Sequence, residues 1–112
     1  MRAALVLLLA AMPLLSLATC ARDRSAPGLY RSYCRRCHGP NGEGPKRSVK
    51  LYPHLNLQSS PMVLRGDRDA VRQRIAEGHG PMPSYSKRLT PEELERLVDF
   101  TLRIPSQRPG RE

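Results

Sequence analysis

Two cysteines and a histidine, Cys34, Cys37 and His38, stand within five residues, and the stretch YCRRCHGPNGEG then runs through three glycines and a proline. No other feature restricts the fold as much. Cysteines two residues apart make a poor cross-link, because so short a loop takes almost no entropy from the unfolded chain. The third cysteine, Cys20, closes an apolar leader, so the disulfide framework usual in small exported domains is not on offer. Apolar residues make up fewer than a third of the chain from Cys20 onward, with one phenylalanine and no tryptophan. A domain this short buries a modest share of its surface even with a richer composition. A prosthetic group filling part of the core is therefore favoured on stability grounds.

Residues 1–19 read as an export signal: Arg2 gives a short basic start, and an apolar run follows from Ala3. The run is broken by Pro13 and is short of the roughly 20 apolar residues a membrane span needs. The sequence LSLATC, ending at Cys20, resembles a bacterial lipobox, with Thr19 where Gly, Ala or Ser is usual. On that reading Cys20 becomes the lipidated first residue of the mature chain. Cleavage after Ala21 would instead release a soluble periplasmic protein. The balance of 19 basic against 10 acidic residues fits an anionic membrane or an acidic protein surface, since opposite fields steer encounter. Export argues against nucleic acid as the partner.

Residues 20–25 read as a polar tether, 26–104 as one domain and 105–112 as a disordered basic tail. A first helix is expected from Ser25 or Ala26 to about Arg35, with Ala26, Tyr30, Tyr33 and Cys34 on one face. Residues 39–61, rich in Gly and Pro, read as a long loop with at most a helical turn, which is unusual unless it wraps something. A second helix runs from Ser60 or Asp67 to Glu77, with Val71 and Ile75 inward and Gly78 as its stop. The third begins at TPEE, with Thr90 as N-cap, Pro91 at the first helical position and Glu93 as the return arm of a capping box. Leu94, Leu97, Val98, Thr101 and Leu102 follow at helical spacing until Pro105. No strand pattern appears, so the fold is expected to be all-α.

Four chemistries compete for Cys34, Cys37 and His38. Chance is disfavoured because both residue types are scarce. Zinc would need two further ligands, with His54 and His79 available, yet no second short knuckle is present. A redox dithiol belongs beside a βαβ unit, which the pattern lacks. The run C-x-x-C-H reads as covalent haem attachment: two thioethers fix the macrocycle, and the adjacent imidazole meets the iron. A second ligand would come from distant sequence. Met82, between Pro81 and Pro83 in GHGPMPSY, sits on what reads as a stiff extended strap. Met62, His79 and His54 are its rivals, and Met62 reads as pocket lining.

C-x-x-C-H near the start, G-x-x-x-M-P later and an amphipathic last helix together resemble a class I c-type cytochrome over about Ala26 to Ile104. The resemblance implies three to four helices around one haem c, attached at Cys34 and Cys37 with His38 and Met82 as axial ligands. It implies that the Pro53 carbonyl accepts the Nδ1 proton of His38, that Leu55 and Tyr85 belong to the pocket, and that Ala26 and Tyr30 cross the last helix at Leu97 and Phe100. The function implied is one-electron transfer rather than enzymatic catalysis, by a monomer outside the cytoplasm. Lys46, Arg47, Lys50, Lys87 and Arg88 are expected to form a docking surface for an acidic redox partner. The alternatives are a haem subunit of a larger oxidoreductase, or a haem enzyme or gas sensor with a labile Met82.

Overall fold

In the computed structural model, which describes residues 20–107, the last helix is the one the sequence specifies most completely. This helix spans Pro91–Arg103. The Thr90 hydroxyl accepts the Glu93 N–H at 3.2 Å, and the Glu93 carboxylate accepts the Thr90 N–H at 2.9 Å. Both bonds satisfy donors that a helix start leaves orphaned. Glu93 is buried, and Arg24 in the segment before the first helix grips the same carboxylate through its guanidinium. That cation holds the Glu93 carboxyl below the usual range, with the Thr90 N–H adding to the effect.

In chain order the helices are α1 Ala26–Tyr33, α2 Arg35–His38, α3 Lys46–Leu51, α4 Pro61–Leu64, α5 Arg68–Glu77 and α6 Pro91–Arg103, with 3-10 turns at Pro53–Leu55, Leu57–Ser59 and Ile104–Gln107. Ser25 caps α1 through a bond from the Gly28 N–H, and Asp67 caps α5 through one from the Ala70 N–H. Among the described residues the architecture is all-α, with only an isolated bridge between His79 and Met82.

The packed frame is α1, α5 and α6. Leu29, Leu97 and Val98 are fully buried, joined by Tyr30, Val71, Ile75 and Ile104. The rings of Tyr30 and Phe100 stand 5.1 Å apart where α1 meets α6. Between α5 and α6, Arg68 pairs with Glu95 and Asp99 and Arg72 pairs with Glu95, while Arg72 also pairs with Asp69 within α5. Shared by two arginines, the Glu95 carboxyl is held down at about 2, Arg72 contributing most.

Three elements differ from the sequence-based expectation. The 39–61 segment is not mere loop but holds α3 and two 3-10 turns, because Pro and Gly bound its pieces without preventing single turns inside them. Of the two expected starts for the second helix, Asp67 holds as the N-cap of α5, while the residues from Ser60 form the separate α4, with Gly66 at φ 67° between them. Residues 105–107 of the expected disordered tail belong to the 3-10 turn after α6. The rest of that tail and the leader at 1–19 lie outside the described residues.

Candidate functional site

α1 gives way to α2 at Cys34, whose φ of −113° breaks the helix and restarts it. The Cys37 and His38 N–H groups both donate to the Cys34 carbonyl, at 3.2 and 2.9 Å. One helical turn therefore carries both thiols and the imidazole. Cys34 is half-buried and Cys37 exposed, and neither is in a disulfide. Burial, with the Cys37 charge second, pushes the Cys34 thiol up to about 12.

His38 is held from behind. Its Nδ1 lies 2.9 Å from the Leu55 carbonyl. A carbonyl only accepts, so Nδ1 carries the proton; burial depresses the imidazole pKa, opposed by this bond and reinforced by nearby His54. The neutral ring then has its lone pair on Nε2, the form that binds a metal. The partner is Leu55 and not Pro53, and the turn explains why. The Pro53 carbonyl is used inside the 3-10 turn, where it accepts the Asn56 N–H at 3.1 Å. The carbonyl of Leu55, at the turn's end, faces the histidine.

The glycines after His38 let the loop fold beneath it. Gly44 donates its N–H to the His38 carbonyl at 2.7 Å, and Leu57 donates to the Gly42 carbonyl at 2.7 Å. Gly44 has φ 72°, and a Cβ there would run into Val49 and the Leu55 carbonyl. The Tyr30 hydroxyl donates to the Gly39 carbonyl at 2.8 Å, fastening the end of the ligand turn to α1. No sequence pattern announced that bond, because it joins two residues through a side chain across a helix break.

Met82 sits on a tight turn rather than an extended strap. His79 and Met82 exchange N–H···O bonds at 3.0 Å in both directions. Positive φ at Gly78 and Gly80 permits the reversal, and a Cβ at Gly78 would sit on the Met82 carbonyl oxygen. Beyond it the chain hangs from α5: Tyr85 donates to the Ile75 carbonyl at 3.2 Å and Ser86 to the Ala76 carbonyl at 3.1 Å. Met82 is half-buried against the core. Tyr85 is buried, its hydroxyl donating to the Tyr33 carbonyl at 3.0 Å and its ring 5.3 Å from that of Tyr33. Burial, and after it the Cys34 charge, raises the Tyr85 phenol, so Tyr85 joins the Met82 segment to the cysteine turn.

The rival ligands differ from Met82 in burial or setting. Met62 packs half-buried against the core, His79 and His54 are exposed, and the His54 ring meets Tyr52 edge-on at 5.9 Å. Pro53 is exposed and Leu55 half-buried, and Cys20 is exposed. Among the described residues no three of His, Cys, Asp and Glu stand together as a metal-holding cluster.

The residues fit a covalently tethered haem on one further observation. Among the described residues, the large apolar side chains left most exposed are Leu51, Tyr52 and Leu64, at 77, 55 and 57%. All three belong to the 51–64 stretch, whose Leu55 carbonyl holds His38, and Leu55, Leu57 and Met62 beside them are only half-buried. A covalently held haem would have this uncovered apolar side-chain surface to pack against.

Comparison with known proteins agrees. A cytochrome c6 from Gloeothece citriformis (strain PCC 7424) is 28% identical over 74 residues, covering 66% of this chain. The chain spans 64% of the length of that relative. The sequence model of the family described as "Cytochrome C oxidase, cbb3-type, subunit III" matches residues 21–100. Proteins of the cytochrome c family bind haem c covalently. The chain accordingly belongs to that subunit III family and is a small c-type cytochrome.

Proposed function

We propose that this protein is a one-electron carrier working outside the cytoplasm, with haem c held by Cys34 and Cys37 and ligated by His38 and Met82. The observation that carries the reading is the single helical turn offering two thiols and an imidazole whose Nδ1 is committed to the Leu55 carbonyl. When bound, the haem supplies reversible one-electron chemistry at its iron, and thioether ligation favours a high potential. The protein's part is to hold and to shield. The Leu55 carbonyl orients the His38 ring, the His79–Met82 turn fixes the thioether, and Leu55, Leu57, Met62 and Tyr85 supply an apolar wall. Pro53 contributes by opening the turn that aims the Leu55 carbonyl.

Met82→Ala tests the ligand assignment. Ferric protein should lose the weak band at the red edge of the spectrum that reports methionine sulfur on iron, while the haem stays covalently bound. Retention of the band would move the role to Met62. Its absence from the wild-type protein would favour an iron open to peroxide or a gas.

Lys46, Arg47, Lys50, Lys87 and Arg88 are all exposed and serve as the docking surface for an acidic redox partner. Reduction by such a partner should slow as salt rises, and a rate indifferent to salt would refute docking. Cys20 is the lipidated residue that tethers the domain; no helix among the described residues is long and apolar enough to cross a membrane. The family's description favours a second reading, a haem subunit of an oxidase. Co-purification with a membrane complex would distinguish it from a freely diffusing or lipid-tethered carrier.

A further inference from the structure

Beside the cysteine turn, on the side of α1, lies an open depression lined by Arg31, Arg35, Arg36, Lys46 and Glu43. Four cations face one carboxylate. Glu43 is engaged locally, its Oε2 accepting the Asn41 N–H at 2.8 Å. Arg31 is paired at 2.7 Å with Asp23. Arg35, Arg36 and Lys46 have no acidic partner among the described residues and are exposed. Two arginines in the short interval between haem-attaching cysteines are not required by attachment, whose chemistry uses the flanking thiols.

The position of the depression along the chain decides what it faces. Asp23, which pairs with Arg31 in its wall, is three residues from Cys20. Three residues of extended chain reach at most about 11 Å. The next residue, Arg24, is clamped to Glu93 and to the Arg88 carbonyl, so the tether cannot lengthen by peeling away from the domain at no cost. Whatever holds Cys20 holds this basic face close to it. An acidic protein could meet basic residues anywhere on the surface. Only a bilayer at Cys20 would select cations gathered at the root of the tether.

We propose that the Arg31–Arg35–Arg36 face lies against the membrane and binds anionic phospholipid headgroups. The proposal rests on the reading of Cys20 as the anchored residue. A lipid on Cys20 fixes one point of the domain, and a basic patch beside that point adds attraction to an anionic surface. It also restricts rotation about the tether, leaving other faces of the domain for redox partners.

The test is partitioning of the holoprotein onto vesicles of phosphatidylglycerol and phosphatidylcholine against pure phosphatidylcholine. Holoprotein whose residues 1–20 are replaced by an ordinary cleaved export signal carries no acyl chain, so its partitioning stays reversible and the ratio isolates the headgroup term. Each basic residue near an anionic surface is worth roughly a fivefold gain in partitioning. Arg35→Gln with Arg36→Gln should therefore lower the ratio about 25-fold. Arg65→Gln with Arg74→Gln, the same charge change on the α4–α5 side, should lower it less than threefold. Equal losses in the two pairs would mean diffuse attraction by net charge and would overturn the proposal. So would an unchanged ratio in Arg35→Gln, Arg36→Gln accompanied by slower reduction by an acidic protein. The mass of the wild-type N-terminal peptide separates the two readings: an unmodified Cys20 with the 25-fold effect intact sinks the anchor and leaves the headgroup face standing.

Discussion

The α1–α5–α6 frame and the 45–64 segment are built from the same chain on opposite principles. The frame closes on itself: Leu29, Leu97 and Val98 are buried by protein alone, and arginine–carboxylate pairs fasten α5 to α6. Between Pro45 and Met62 no residue is buried, although the stretch contains five leucine, valine and tyrosine residues from Val49 to Leu57. That segment is shaped by backbone hydrogen bonds, glycine conformations and its carbonyl contact with His38. The lesson is that a chain poor in apolar residues can spend them on two tasks. It completes a small helical frame and leaves a second apolar surface for a cofactor to cover.

The sharpest way to break this contrast is to remove the tether. Cys34→Ala with Cys37→Ala should leave a largely unstructured chain, with residual amide protection confined to α1, α5 and α6. Hydrogen exchange reads it by segment, and native-like protection across 45–64 in that variant would refute the contrast. Within the frame, Leu97→Ala should destabilise the holoprotein by about 3 kcal/mol, the usual cost of a buried leucine truncation. Denaturant titration measures it, and a loss below about 1 kcal/mol would mean that α6 is not a buried strut. Thr90→Ala removes one arm of the capping box and should cost about 1 kcal/mol. In the same titration that loss should leave the haem spectrum unchanged.

The smallest effect is acid sensitivity. Glu95 is depressed from 4.5 to about 2 by Arg72 and Arg68. A depressed carboxyl contributes stability that is present above its unfolded pKa and lost as pH falls toward its folded one. The window is therefore between about 4.5 and 2, and the exposure of the pairs keeps the contribution modest. Glu95→Gln should flatten the stability profile in that window and lower stability modestly at neutral pH, where the ionised carboxylate pairs with both arginines. An unchanged slope would show that the α5–α6 pairs are not formed in solution.

What was legible in the sequence was what is local. The Cys34–His38 turn lies within five residues, and the α6 start is written in TPEE, because caps and short spacings are set by neighbours in sequence. The all-α architecture followed from helical spacing, and the α1–α6 crossing at Tyr30 and Phe100 from family resemblance alone. The α3 helix was missed because its six residues carry no apolar period long enough to read. The His38 partner was placed at Pro53, two residues early, since only the 3-10 hydrogen bonding decides which carbonyl is spent inside the turn. The Met82 reversal depends on two glycines whose φ sequence does not state. The Arg68, Arg72 and Glu95 network joins residues more than twenty apart and has no local signature.

The central claim is that one helical turn carries a covalently tethered haem, and it is tested most directly by mass spectrometry of the denatured mature protein. The account predicts the mass of one haem on the peptide containing Cys34 and Cys37, surviving acid extraction. A peptide with two free thiols and a chromophore that extracts into acid solvent would contradict it.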